Sequence, residues 1–251
     1  MIDGLLVQLM LGPELARWCR AGRSPVVWWR DDDARTPSAA LERLLSASAR
    51  HGAPITIAAI PDGDLAALAA ACAMTPDVEL AMHGFRHENR APQGRPSGEV
   101  ADSDSLSDVL AELDAGLAAF GRAGVSPVLF VPPWNNVHPT LEAALAARGL
   151  GLSGYDQPLA PQASPPRVDA HLDLMRWKPT ARFRGARRFL DRARRLLVER
   201  RRRQAWDEPI GFLTHHLDHD EAAWRFLELI LPVLRPTVRP QPGVRAVSEA
   251  A

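Results

Sequence analysis

The chain has 251 residues, 46% of them hydrophobic and 24% charged, which is enough apolar mass for one large core and too much for a disordered chain. Thirty Lys+Arg balance thirty Asp+Glu, so the zero net charge does not suggest a protein that coats a polyanion. Two cysteines, Cys19 and Cys72, are too few for a disulfide framework or a thiolate zinc site, and charges break every apolar run short of the about 18 residues a membrane span needs.

Asp3 and the lack of a basic first segment argue against an export leader, so a cytoplasmic protein is expected. Gly12-Pro13-Glu14 ahead of Leu15, Trp18 and Cys19 reads as a helix start. Residues 26–29 are strand-like, Leu41, Leu44 and Leu45 have helical spacing, and 55–60 form a second strand. An alanine-rich helix over 64–74 and a strand over 79–82 follow. Then come a loop with Pro92, Gly94, Pro96 and Gly98 and a helix over 106–120. The alternation continues with a strand at 128–131, a helix at 139–148 and a strand at 150–153. A proline-rich loop at 158–166 and a strand at 168–174 come next, then a helix at 182–204, a strand at 210–214 and a helix at 221–234.

Repeated strand–helix units without hairpin signals imply a parallel sheet covered by helices. Six to eight such units make a closed or nearly closed TIM-barrel-like α/β barrel the expected architecture, ahead of an open doubly wound sheet, with residues 1–251 as a single domain. No GxGxxG or GxxxxGK[ST] is present, so nothing cradles a nucleotide phosphate.

The polar residues collect after the strands, where parallel α/β folds build active sites. Asp31, Asp32 and Asp33 repel one another, and that repulsion is relieved by a cation or a proton unless the run is merely a solvated turn or a helix cap. His83 and His87 stand four apart, a spacing that lets a turn or tight loop aim both at one ion, although two histidines in a polar loop would look the same. The HExxH glutamate of zinc peptidases is missing, so a third ligand must come from elsewhere. An aspartate would complete a mixed N/O shell for zinc or another divalent metal. His215 and His216 end the strand at 210–214 and suit a general acid or base, unless they are only hydrogen-bonded to backbone.

Taken in order, Asp32-Asp33, His83-x-x-x-His87, Pro132-Pro133-Trp134 and Leu213-Thr214-His215 resemble the polysaccharide deacetylase family of carbohydrate esterases (family 4) across most of the chain. The resemblance implies a distorted (β/α)7 barrel of the glycoside hydrolase/deacetylase type and a divalent metal, zinc first, held by an Asp-His-His set. It also implies hydrolysis of an N- or O-acetyl group. Carried over, it makes Asp33, His83 and His87 the metal ligands, Asp32 the base and His215 the acid. Asp31/Asp32 is the alternative pair and His216 the alternative acid. A backbone N–H of the Pro133-Trp134 turn becomes the oxyanion donor, and Arg30, Pro133, Trp134, Asn135 and His216 become substrate-binding candidates. Two departures stand out: Val131 occupies the place of the arginine that orients the base, and Arg30, Asp31 and Ala34 flank the carboxylate pair. Arg30 is the candidate replacement for that guanidinium, from a neighbouring strand.

Residues 182–204 carry eleven arginines against Asp191 and Glu199, whereas Lys178 is the only lysine of the chain. Ala186, Phe189, Leu190, Ala193, Leu196 and Leu197 repeat at helical spacing, so an outer helix is expected, with its guanidinium groups meeting acids elsewhere. An anion docking on Arg200 to Arg203 is the weaker reading. The expected activity is a metal-dependent hydrolase acting on a non-peptide C–N amide of a small N-acetylated molecule or carbohydrate, without nucleic-acid or membrane partners. The alternative is a catalytically impaired, ligand-binding relative. The sequence does not set the oligomeric state; Trp206 and the proline-rich stretch 232–242 are candidate contacts with a second subunit.

Overall fold

Short apolar runs bounded by proline or glycine become strands buried on both faces, as in a parallel sheet covered by helices. The computed structural model describes residues 2–101, 103–157 and 164–238. In chain order the elements are α1 (Ile2–Arg20), β1 (Val27–Ala34), α2 (Ala39–His51), β2 (Ile55–Ala59), α3 (Leu65–Ala73), β3 (Val78–His83), α4 (Leu106–Arg122) and β4 (Leu129–Val131). They continue with α5 (Pro139–Ala147), β5 (Gly151–Leu152), β6 (Ala170–Asp173), β7 (Met175–Arg176), β8 (Arg182–Phe183), α6 (Ala186–Arg203), β9 (Ile210–Thr214) and α7 (Glu221–Leu234).

Seven strands pair in parallel in the order β5-β4-β3-β2-β1-β9-β6. The edges β5 and β6 meet through parallel bridges Leu152–Arg167 and Tyr155–Ala170, with Val168 N donating to Leu152 O at 3.0 Å and Ala170 N to Gly154 O at 3.1 Å. The ring therefore closes into the (β/α)7 barrel that the motifs imply. Alternation along each strand divides the apolar residues into two sets. Trp28, Ala58, Ala81, Leu129, Val131 and Val168 form one buried cluster, which fills the barrel. Trp29, Ile57, Met82, Phe130 and Phe212 belong to the larger cluster under the helices. Ser38, Asp64, Ser105 and Asp220 each accept a hydrogen bond from an N–H in the first turn of the following helix, caps worth about 1 kcal/mol apiece. No helix among the described residues is long and apolar enough to cross a membrane.

Four expectations change. Helix α1 begins at residue 2 rather than at Gly12, with Pro13 inside it. Burial of Val7, Leu11 and Trp18 on one face outweighs the N–H that proline removes, and Trp18 Nε1 donates to Leu197 O of α6 at 3.2 Å. Strand β1 runs through all three aspartates instead of stopping before them. Residues 182–183 pair antiparallel with 175–176, so the basic helix starts only after Gly185. Trp206 stands edge-on to Trp18 at 4.9 Å, inside the molecule's own packing. Most of the proline-rich loop (158–163) and the end of the 232–242 stretch lie outside the described residues, while Pro232 is within α7.

The face of α6 predicted to pack is buried at all six positions. Its arginines meet acids: Arg201 pairs with Glu14 of α1, Arg192 with Asp156, and Arg203 with Glu199 and Glu208. Arg200 is itself buried and reaches Glu208 at 3.2 Å, and it faces His171 of β6. The His171 Nδ1 accepts from Gly211 N at 3.0 Å. Burial first, then the charges of Arg200 and Arg192, pushes its pKa down to about 3. The unfolded chain binds a proton at this histidine below about pH 6.5, and the folded chain does not until about pH 3. Stability should therefore be complete above about 6.5 and fall between 6.5 and 3, by roughly 3–5 kcal/mol from this group at the limit. Urea midpoints measured across pH 4–7 should show a flatter pH dependence in His171→Gln than in the wild type.

Candidate active site

Three adjacent carboxylates on one strand point three ways. Arg30 and Asp32 face the barrel interior, whereas Trp29 and Asp31 face the helices, as a period of two requires. The pairing of β1 with β2 slips between Asp31 and Ala34, and Asp33 takes a left-handed backbone (φ 74°), which turns it onto the rim.

Asp31 is buried and bound to His216, with Oδ1 to Nδ1 at 2.5 Å and Oδ2 accepting from His216 N at 3.0 Å and Thr214 Oγ1 at 2.6 Å. Trp29 Nε1 donates to Thr214 Oγ1 at 2.9 Å. Burial alone would raise the Asp31 pKa and lower that of His216; their mutual attraction reverses both shifts. His216, 1% exposed and locked behind the strand, is neither on the substrate side nor placed as the acid, which corrects its reading as a substrate-binding residue. Asp31 faces away from His83 and His87, so the Asp31/Asp32 alternative has no geometric counterpart.

Asp32 is held by Arg30, with Nε 2.8 Å from Oδ1 and Nη2 3.0 Å from Oδ2. The same Nη2 donates to Asn135 Oδ1 at 3.0 Å, and Nη1 to Ser153 Oγ (2.6 Å), Ser153 O (3.1 Å) and Gly154 O (3.2 Å). Arg30 is 0% exposed and spans the barrel interior from β1, whose neighbours in the sheet are β2 and β9 rather than β4, the strand of Val131. Its hydrogen bond to Asp32 runs through Nη2 alone, since Nε and Oδ1 are in ion-pair contact but have no hydrogen-bond partner, and at 0% exposure it cannot touch a substrate, a second correction. Asn135 is tied up in the same network.

Asp33 Oδ1 lies 3.0 Å from His83 Nε2 and 3.2 Å from His87 Nε2. These donor atoms lie within 4.8 Å of one another, and theirs is the group of three among the described residues that converges in this way. His83 Nδ1 donates to Val131 O at 2.9 Å, which aims Nε2 at Asp33. Burial works against charge on both residues. The hydrogen bonds between Asp33 and the histidines outweigh it, holding the Asp33 carboxyl well below the usual range and raising His83. The carboxylate and the two imidazoles thus present their donor atoms to one another at a common point. A divalent ion fits, because ligands bonded at about 2.0–2.2 Å in a tetrahedron stand roughly 3.3 Å apart.

His215 follows β9, with Nε2 3.8 Å from Asp32 Oδ2 and a buried Nδ1 that has no hydrogen-bond partner. The edge of Trp177 packs on its ring at 4.4 Å, and Trp177 Nε1 donates to Asp173 Oδ2 at 2.8 Å. Burial raises the Asp173 pKa, and attraction to His215 partly offsets that. On the opposite side Trp134, at φ 54°, sets its ring 4.5 Å from His87 and is 40% exposed, close to the 41% of Trp177. Pro133 is buried and opens a 3-10 turn in which Asn135 N donates to Pro132 O at 3.0 Å and Asn136 N to Pro133 O at 3.1 Å. Asp173, Trp177 and Glu99, which binds the backbone of the His87 loop, were not among the predicted residues. Asp173 carries the same signal as the others, a carboxylate ending an apolar strand.

No family model and no curated protein sequence matches the chain. Its fold does match solved structures. A putative polysaccharide deacetylase from Mycobacterium smegmatis aligns with a TM-score of 0.59 at 18% identity over 85% of each chain. A family 4 acetyl xylan esterase from Clostridium thermocellum, in complex with a cobalt ion, aligns with 0.52 at 17% over 84% of this chain and 83% of its own. A family 4 carbohydrate esterase pseudoenzyme from Bacillus anthracis aligns with 0.51 at 14% over 84% and 60%. The chain therefore has the (β/α)7 fold of the polysaccharide deacetylases and family 4 carbohydrate esterases.

Proposed function

We propose that the protein is a metal-dependent hydrolase that removes an N-acetyl-type group from a small molecule or carbohydrate by cleaving a non-peptide C–N bond. The observation that carries this reading is the meeting of Asp33, His83 and His87 beside a carboxylate, Asp32, which is ion-paired with Arg30 and faces His215. A divalent ion held by Asp33 Oδ1, His83 Nε2 and His87 Nε2, zinc first for this N,N,O set, would supply Lewis-acid polarisation of the acyl carbonyl and an acidified water.

The chain's own residues account for the proton movements. Asp32 accepts the proton of the attacking water, and its orientation is set by the ion pair and the hydrogen bond with Arg30. In this reading the Trp134 N–H donates to the tetrahedral oxyanion. His215 delivers a proton to the departing amine as the C–N bond breaks, so that one water is consumed and an acid and an amine are released. The exposed rings of Trp134 and Trp177 flank the site and offer apolar faces to a sugar ring or an acyl chain. The other reading, an impaired ligand-binding protein, rests on the valine at position 131. Arg30 supplies the guanidinium that this argument finds missing.

Asp32→Asn should abolish turnover of N-acetyl model substrates by about 10²–10⁴-fold and retain one bound zinc, measured by metal analysis and amine release. Purified wild type that holds no divalent ion after reconstitution would contradict the proposal. Arg30→Met should lower kcat by about tenfold or more with zinc content unchanged, because it frees Asp32 without touching a ligand. An Arg30→Met enzyme with wild-type kcat would show that Arg30 does not orient the base.

A further inference from the structure

Asp33 and His83 come from strands, whereas His87 is delivered by a loop, and that loop is shaped around a carboxylate from farther along the chain. Gly84 and His87 both have left-handed backbone, with φ of 56° and 59°. Between them the N–H groups of Phe85, Arg86 and His87 turn into one concavity, the kind of nest that binds an anion. Glu99 fills it and is only 6% exposed. Its Oε2 accepts from Phe85 N at 2.8 Å, and its Oε1 accepts from Arg86 N at 2.5 Å and from His87 N. Hydrogen bonds to an ionised acceptor are about twice as strong as neutral ones.

The fit leaves no slack. A Cβ on Gly84 would lie 2.1 Å from Glu99 Oε2 and 2.5 Å from Pro133 Cγ, so loop, carboxylate and the Pro133 turn are in direct contact. Glu99 is itself braced. Gly98 N donates to Asn89 Oδ1 at 3.0 Å, Arg90 N donates to Gly98 O at 2.8 Å, and Arg90 Nε donates to Glu99 O. The Arg90 guanidinium then reaches Glu112 of α4 at 2.7 Å. The position of His87 is thus tied through Glu99 and Arg90 to an outer helix.

We propose that Glu99 is the positioning residue of the metal site: its carboxylate holds loop 84–87 so that His87 Nε2 stays beside Asp33 Oδ1. The inference rests on the metal-site reading above, but its own test does not depend on turnover. Glu99→Gln keeps the size of the side chain and turns an NH2 group toward backbone N–H donors. In the metal-free variant, amide hydrogen exchange at Phe85, Arg86 and His87 should be at least about tenfold faster than in the wild type. Zn2+ affinity, measured by competition with a chromophoric chelator, should fall about 10–100-fold. In ¹⁵N spectra of the histidine rings the Zn2+-induced shift should survive at His83 Nε2 and be lost at His87 Nε2. Glu99→Asp, which keeps the charge, should recover part of the affinity. Glu14→Gln, which disturbs the distant α1–α6 ion pair, should change neither exchange nor affinity. Unchanged exchange and unchanged Zn2+ affinity in Glu99→Gln would overturn the proposal. A wild type that binds no Zn2+ would instead sink the metal-site reading, and the exchange rates would still decide whether Glu99 holds the loop.

Discussion

Three consecutive carboxylates at the end of one buried strand cannot coexist unless each receives its own positive partner, and the site is organised around that constraint. Asp31 is answered by His216, Asp32 by Arg30 and Asp33 by the His83–His87 pair. Charges this close in a poorly solvated place would otherwise repel by several kcal/mol, about 4 kcal/mol for a pair at 4 Å and an effective dielectric of 20. The separation is achieved by the backbone. Strand alternation puts Asp31 and Asp32 on opposite faces, and the register slip with positive φ moves Asp33 off both.

This arrangement gives the three residues different chemistry from the same side chain. Asp31 becomes a fastener: by gripping the ring and backbone N–H of His216 it fixes the residue next to His215, so the end of β9 is locked to β1. Asp32 is held through Oδ2 by a guanidinium whose two terminal nitrogens also donate to Ser153, Gly154 and Asn135, a geometry suited to repeated proton transfer without reorientation. Asp33 is left with histidine nitrogens alone, the donor set of a metal centre. Closure of the seven-stranded ring is what allows Arg30 to reach from β1 to residues beyond β5 inside the barrel.

Much of the fold was legible because its elements announce themselves. Strand β9 and helix α7 match their predicted limits, each marked by an apolar run with turn residues or a capping aspartate before it. Strand β1 was read five residues too short at its acidic end because charge usually signals solvent. Here the charges are buried and paired through contacts that no local pattern shows. The Asp31–His216 pair exists because β1 and β9 lie in parallel register with Asp31 beside Thr214, a fact of sheet order invisible in the chain. The same holds for Glu99, twelve to fourteen residues from the N–H groups it binds. Arg30 was legible as a substitute guanidinium, but not as one that crosses the barrel. The proline at position 13 misled in the other direction, since a buried helix face tolerates the loss of one hydrogen bond.

Which of the three aspartates faces the proposed metal site is tested directly by zinc stoichiometry after reconstitution of Asp31→Asn, Asp32→Asn and Asp33→Asn, each measured on folded protein. Asp33→Asn should fail to bind the zinc that the wild type and the other two variants take up at one equivalent. Retention of zinc by Asp33→Asn, or its loss from a folded Asp31→Asn, would contradict the assignment of one partner to each carboxylate.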